Sequence, residues 1–521
     1  MSKTRVAARP LNSSTEIASG RAAARSAYRF FTRVSGAFAA ALAFAAVFAF
    51  ARPAVAAVAP DYVLISPPKF VNLWTWYIGE RAKVKTDYNF AVKSTADIYN
   101  EYPYGDSAAN RNPAESIHAY IRAQAAKGTK YFVLGGNWIN AQDLTANGEA
   151  KTTRLRTGLT TSEMLSLENA VPGILAWTYT APTETKYDLA SVPSDLFYAC
   201  TEIKSGTYPW DPDGDGMYVS SEELAAASCD FVPDVVVSRM SFKPWTYIDP
   251  SDNQAKFFSF EALVTNYVAK LARGESPTFG GLGGAAAVVG NVSYEDIADY
   301  NAMAVTRMNS TIGAYRRLKR TQFVFASDGS PYPFIYDHDW DFAFYVGHCN
   351  GDALSSLGGN MMEATQFYTD VCTGLVAFVG ANIPCQSAVL YAEIHADIGS
   401  GEQHFSGMTL GEVPISSPFG GALVSVNNTS YGQLASTSYT SLTNGISDEM
   451  LTYMTLAYFR DGTTAGEAWR RGIAEYATLV DGGKVNDTLS AVRRAIVEEV
   501  CFGDPLVKAG KVPAGAGVLF K

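Results

Sequence analysis

Two apolar runs in this chain end close to side chains able to do covalent chemistry. Phe342-Ala343-Phe344-Tyr345-Val346 stops at Gly347-His348, and Val376-Ala377-Phe378-Val379 stops at Gly380, five residues before Cys385. A thiol of ordinary pKa is mostly protonated near neutral pH. An imidazole beside it takes the proton, leaves a thiolate that attacks a carbonyl carbon, and later protonates the leaving amine. The oxyanion that forms needs backbone N–H donors, which a tight turn after a strand exposes. Here the candidate donors are the N–H of Cys385 and those just after His348. A structural role is the plainer reading of each residue: a lone Cys is usually a small buried hydrophobe, and a lone His is usually hydrogen-bonded framework. Spacing by itself does not choose between the two.

A second set of residues fits a cation. Asp211-Pro212-Asp213-Gly214-Asp215-Gly216-Met217-Tyr218-Val219-Ser220-Ser221-Glu222 places acids at positions 1, 3 and 5, Gly at 6 and Glu at 12 of a twelve-residue loop. Ca²⁺ requires hard oxygen ligands of this kind and a glycine for the sharp turn. The expected ligands are Asp211, Asp213, Asp215, the Met217 carbonyl and Glu222, with an acidic turn holding no ion as the alternative. Ser205-Gly206-Thr207-Tyr208-Pro209-Trp210 is a poor helix, so the loop reads as a stability site rather than a helix–loop–helix sensor. Cys200 and Cys229 bracket it and are suited to a disulfide in an oxidising compartment.

The elements that must position these residues read as α/β. Tyr62-Val63-Leu64-Ile65 is a buried strand ended by Ser66-Pro67-Pro68, Lys83-Val84-Lys85 suggests a second, Pro113 to Lys127 has helical spacing, and Tyr131 to Leu134 is another strand. Strand, helix, strand in this order indicates a parallel sheet. Asp234 to Val237 continues it, and a helix spans Phe257 to Leu271. After a Gly-rich stretch over 274–284 comes a second set: strands at 285–289, 321–326, 342–346, 376–379 and 422–426, and helices at 294–316, 448–459 and 464–476. Ligands of open parallel sheets sit outside the carboxyl ends of the strands. If the runs before His348 and Cys385 are neighbours, both residues reach that crevice. The 37 residues between them suffice for one crossover.

The totals set limits. The 521 residues are 47% hydrophobic and 18% charged with a net charge of −10. This supplies one large or two medium cores, and the absence of a long basic run argues against nucleic acid. Six cysteines in so long a chain do not make a disulfide scaffold. Residues 1–56 read as a signal peptide: a basic segment, an apolar run from Val34 to Ala51, then Ala54-Val55-Ala56 as the cleavage pattern. An uncleaved anchor is the competing reading. The expected location is secreted, periplasmic or cell-surface, with no stable membrane partner beyond the signal segment.

Seven short motifs then fall in order. They are Val133-Leu134-Gly135-Gly136-Asn137, Ser194-Asp195-Leu196-Phe197-Tyr198, Asp234-Val235-Val236-Val237-Ser238-Arg239, Tyr345-Val346-Gly347-His348, Val379-Gly380-Ala381-Asn382-Ile383-Pro384-Cys385, Gly420-Gly421-Ala422-Leu423-Val424-Ser425 and Phe502-Gly503-Asp504-Pro505. In order and spacing, from about Asp61 to Lys508, they resemble the gingipain family of cysteine peptidases. The resemblance implies a caspase-like three-layer α/β sandwich of two adjacent subdomains with mostly parallel sheets flanked by helices. These would be 57–275, carrying the calcium loop 211–222, and 276–521. It implies endopeptidase action on protein or peptide substrates, with Cys385 as nucleophile and His348 as base. This sequence departs from the family in having Cys349 where a glycine usually follows the His, in Pro384 and Gln386 flanking the nucleophile, and in having no prosegment between the signal and Tyr62. The alternative is a catalytically inactive, calcium-binding surface or secreted binding protein on the same fold. The acid that orients His348 is not placed: Glu295, Asp296, Asp299, Asp337, Asp339 and Asp341 are candidates. The tract from Asp337 to Asp341 with His348 also admits a weaker metal-hydrolase reading.

Overall fold

The computed structural model describes residues 59–105, 110–141, 170–177, 191–202, 210–211, 218–219, 229–242, 245–249, 254–276, 284–290, 320–326, 339–346, 348–349, 353–356, 359–363, 374–381, 409, 411–418, 420–429, 447–459, 461–484, 493 and 495–508. Its frame is a sheet of ten strands: β1 (Tyr62–Ser66), β2 (Phe90–Ser94), β3 (Tyr131–Leu134), β4 (Val236–Arg239), β5 (Gly284–Gly290), β6 (Arg320–Ala326), β7 (Trp340–Val346), β8 (Leu375–Ala381), β9 (Gly421–Asn428) and β10 (Glu499–Gly503). They lie in the order β6-β5-β7-β8-β9-β10-β4-β3-β1-β2. Short, nearly continuous apolar runs are what strands covered on both faces require. Accordingly β1, β4, β9 and β10 are buried at every residue.

Two parallel runs make up this order. β2-β1-β3-β4 pair in parallel, as do β6-β5-β7-β8-β9, and β10 returns antiparallel to β9. Each run is built outward in both directions from its first strand. This creates a switch point between β1 and β3 and another between β5 and β7, where an open sheet leaves a crevice at its carboxyl edge. β10, from the end of the chain, sits between the two runs and touches β4 through Phe502 and Arg239.

The helices start where local chemistry satisfies their first N–H groups. The first, α1 (Val71–Val84), follows a 3₁₀ turn at Pro68–Phe70. Before α2 (Thr95–Glu101), Ser94 accepts from Ala96 N; before α3 (Pro113–Ala125), Asn112 accepts from Ala114 N and Glu115 N. Ser259 caps α4 (Phe260–Gly274), and α5 (Ser447–Phe459) packs against α6 (Ala465–Asp481). Thr464 caps α6 and is followed three residues later by Glu467, the capping-box pattern.

Two expectations are corrected. Lys83-Val84-Lys85 is not a strand: Trp74, Tyr77, Ile78 and Arg81, at helical spacing, are the buried face of α1, and the second strand is β2. Phe257 does not open a helix. It lies in a hairpin of Trp245–Asp249 and Gln254–Phe258, and α4 begins after its Ser259 cap. The helix expected over 294–316 and the signal segment 1–56 lie outside the described residues.

The two parallel runs are also joined beneath the sheet's ends. Arg81 of α1 pairs with Asp504 at 2.5 Å and with Glu275 at 2.5 Å, and Lys85 reaches Glu275 at 2.9 Å. Tyr77 Oη donates to the same Asp504 carboxylate at 2.7 Å. Burial opposes ionisation of Glu275, but the Arg81 guanidinium outweighs it and holds that carboxyl below its usual range. Lys270 of α4 is buried and gives its three N–H bonds to the carbonyls of Pro414, Ile415 and Gly420. Burial pushes its pKa down. Among the described residues no helix is long and apolar enough to cross a membrane.

Candidate active site

β7 and β8 are parallel neighbours, in the register Trp340 with Val376, Phe342 with Phe378, Ala343 with Val379 and Phe344 with Gly380. The condition set by the sequence is therefore met at the level of the strands. His348 comes four residues after Phe344, and Cys385 five residues after its partner Gly380. Both strands hand their chains to the same edge of the sheet. His348 itself lies in a two-residue strand, His348–Cys349, that pairs antiparallel with Ala353–Ser356, which in turn pairs with Gly359–Glu363. Cys385 and the His348 side chain lie outside the described residues.

The residue after the His takes an extended conformation. Among the described residues the one non-glycine with positive φ is Val219, so Cys349 does not need the left-handed region that a glycine would favour.

Packing fixes how the two strands meet. Phe342 and Phe378 make an edge-to-face pair with ring centroids 5.5 Å apart, and Phe378 makes another with Tyr458 of α5 at 5.0 Å. Gly380 is required for a close approach: a Cβ there would stand 2.4 Å from Leu451 Cδ1. The glycine before Cys385 thus lets α5 lie against the end of β8.

A buried polar frame occupies the carboxyl edge beyond β3, β4 and β9. Arg239, the last residue of β4, makes a two-armed pair with Asp195, at 2.6 and 2.7 Å, and its remaining nitrogen faces the carbonyls of Gly136, Asn137 and Val171. Ser241 Oγ lies 3.1 Å from Asn137 Oδ1 and 2.9 Å from Glu412 Oε1. Three motifs that the sequence presents separately, around Asn137, Asp195 and Arg239, are therefore one cluster. Opposite charge at the ends of two otherwise apolar motifs is the signal that joins Asp195 to Arg239. Nothing in the sequence indicates Glu412.

Asp339 and Asp341 sit at the amino end of β7, whereas His348 follows its carboxyl end; about 20 Å of extended chain separates them. Asp339 pairs with Arg273 and accepts from Leu375 N at 2.9 Å. This placement supports the structural reading of the 337–341 tract over a metal site shared with His348. Of the other thiols, Cys501 is buried, and burial, then Asp504 and Glu499, push its pKa up and away from thiolate. A cavity of about 760 Å³ lies at the opposite edge, before β3 and β4, between Lys130 and Asp234, and so is remote from both.

The cation loop is described at its neck. Trp210, Tyr218 and Val219 are buried, and Val219 N donates to Trp210 O at 2.6 Å. Val219, a β-branched residue, is held at φ 58°, a strain of about 1–3 kcal/mol. Asp211 is 2% exposed and pairs with Arg111. Asp213, Asp215, Met217 and Glu222 lie outside the described residues. Asp211 is thus a buried carboxylate whose charge is met by Arg111. No disulfide joins Cys200 to Cys229 in the structure.

Sheet order, strand direction and flanking helices define a caspase-like α/β fold. A family model, Peptidase family C25, matches residues 56–246. The crystal structure of the Arg-specific cysteine proteinase gingipain R (RgpB) is similar over 88% of this chain and 80% of that one, with a TM-score of 0.51 and 12% identity. The complex of Porphyromonas gingivalis RgpB pro- and mature domains matches over 86% and 79%, with a TM-score of 0.49 and 12% identity. A search of the curated proteins found no match. The resemblance to gingipains read from the motifs is borne out: residues 56–246 match the C25 family model, and the fold is similar to that of gingipain R. The segment matched by the family model ends before His348 and Cys385.

Proposed function

We propose that this protein is an exported cysteine endopeptidase in which Cys385 is the nucleophile and His348 its base, steadied by a calcium ion in the loop 211–222. The observation that carries the reading is the parallel pairing of β7 with β8, which sends the two chains to one edge of the sheet only four and five residues before the reactive side chains. His348 takes the proton of Cys385, and the thiolate adds to the scissile carbonyl carbon. The carbonyl π pair moves to oxygen, where backbone N–H groups at the strand ends receive the charge. As the tetrahedral intermediate collapses, the C–N bond breaks and the imidazolium gives its proton to the leaving amine. Water, deprotonated by the same imidazole, then attacks the thioester and releases the acid and the thiol.

Asp211, Asp213, Asp215, the Met217 carbonyl and Glu222 would hold the calcium, and its role is to neutralise the acids of a loop already closed at its neck. Export rests on the basic and apolar pattern of residues 1–56.

A peptidyl probe with a thiol-reactive warhead tests the reading. It is expected to label Cys385, with labelling and casein cleavage both lost in Cys385→Ala and reduced at least about 10³-fold in His348→Ala. A folded wild-type protein that neither cleaves nor labels would instead favour the non-catalytic binding protein.

A further inference from the structure

The cavity of about 760 Å³ at the amino edge of β3 and β4 has walls that the fold holds in place. One wall is the second half of α3, where Ala119, Ala123 and the cap residue Ala126 give a smooth, small-residue face. The opposite wall is the short segment from Cys200 to Glu202, tied down at three points. Cys200 O lies 2.9 Å from His118 Nε2, and Thr201 O accepts from Arg122 Nε at 3.1 Å. Asp234 Oδ2 accepts from Thr201 N, Thr201 Oγ1 and Glu202 N at 2.7, 2.9 and 3.0 Å. The recess is therefore preformed, and its volume falls in the range of small-ligand sites, about 300–1,000 Å³.

Charges of both signs converge on it. Lys130 and Asp234, at the starts of neighbouring strands, line it together with Arg122 and Glu202. Among the described residues no group pairs with the Lys130 ammonium or the Glu202 carboxylate, and the bonds of Asp234 use only Oδ2. Thr129 also lines the cavity; it is 2% exposed and its hydroxyl has no hydrogen-bond partner. A buried hydroxyl left unmet is a cost that a ligand atom or a water removes. A single ion would answer one sign of charge and leave the other unmet. An apolar ligand would desolvate both. A molecule carrying an ammonium and a carboxylate, joined by a body that lies along the alanine wall, answers all of them.

We propose that this cavity is a second, non-catalytic binding site for a short free peptide, whose ammonium meets Asp234 and Glu202 and whose carboxylate meets Lys130. The inference rests on the peptidase reading for the origin of such a peptide, as a product of cleavage, and on the cavity alone for its binding.

The test uses the full wild-type chain and the dipeptide alanyl-alanine, too short for an endopeptidase to consume. Calorimetric titration is expected to show binding, weakened at least about tenfold by N-acetylation of the dipeptide and by amidation of its carboxylate. Lys130→Gln, a change at an exposed side chain, is expected to weaken the dipeptide by a similar factor and to leave casein cleavage unchanged, which separates this site from product held at the carboxyl edge. In wild type, acetylation of Lys130 by acetic anhydride, followed by peptide mass spectrometry, is expected to slow when the dipeptide is present. Absence of binding, or binding indifferent to both end groups, to Lys130→Gln or to Lys130 labelling, overturns the proposal. Binding that meets these tests in a protein that does not cleave casein upholds the site and removes only the origin given for its ligand.

Discussion

His118 shows what a single buried group does to this protein. It is fully buried on α3, its Nε2 lies 2.9 Å from Cys200 O, and its ring packs on Phe197. Burial drives its pKa down to about 3, against about 6.5 in an unfolded chain. The folded state therefore takes up this proton far later than the unfolded state does. Stability from this residue is complete above about pH 6.5 and is lost progressively as pH falls from there toward 3. His118→Gln is expected to be less stable at pH 7 by about 1–2 kcal/mol. It should also lose stability less steeply between pH 6 and 4. Denaturant unfolding of both proteins across that range checks this, and parallel slopes would contradict it. The same scale holds the Arg239–Asp195 pair, where removal of one partner leaves an uncompensated buried charge at a cost of about 3–5 kcal/mol.

At the scale of elements, the meeting of β8 with α5 is the most sensitive joint near the site. A Cβ on Gly380 would stand 2.4 Å from Leu451 Cδ1. Gly380→Ala is expected to destabilise by about 1–3 kcal/mol through overpacking, and to lower turnover because β8 leads to Cys385. Adding Leu451→Ala should restore part of both losses, which unfolding curves and peptidase rates will show. No recovery in the double variant would mean that the glycine matters for another reason. Much at this scale is legible in the sequence. The strands before His348 and Cys385 end within two residues of expectation, because short apolar runs bounded by glycine, proline or polar residues can scarcely fold as anything else. The misreadings have physical causes. Lys83 and Val84 look like a strand only until the buried stripe from Trp74 to Arg81 claims them for α1. The strand Ala170–Trp177 carries an internal Pro172 and Gly173, and the Gly173 position is pressed against the Trp138 ring, so neither periodicity nor composition reveals it. The frame of Asn137, Ser241 and Glu412 is not legible in the sequence for another reason: its members are brought together by folding from distant points in the chain.

For the molecule as a whole, β10 and α1 lock the two parallel runs together. Asp504 is fully buried and receives Arg81 and Tyr77 from the other run. Neutralising or removing it leaves the Arg81 charge with Glu275 alone and takes the acceptor from Tyr77 Oη. Asp504→Ala is expected to cost about 3–5 kcal/mol. Because β10 sits between β9 and β4, unfolding of the wild type should be one transition over residues 59–508, and that of the variant should broaden or split. Calorimetry distinguishes these, and an unchanged single sharp transition would show that the network does not couple the runs. This coupling also matters for the site: the polar frame of Arg239 and Ser241 and the strand ends leading to His348 and Cys385 belong to one sheet, so a shift between the runs reshapes the crevice.

The central claim is that an imidazole from the end of β7 activates a thiol carried on from the end of β8. Its most direct test is the pH dependence of Cys385 alkylation by iodoacetamide, followed by peptide mass spectrometry in wild type and in His348→Ala. The account predicts an apparent thiol pKa in wild type well below the ordinary value of about 8.5 and a return to about that value when His348 is removed. Identical profiles in the two proteins would contradict it.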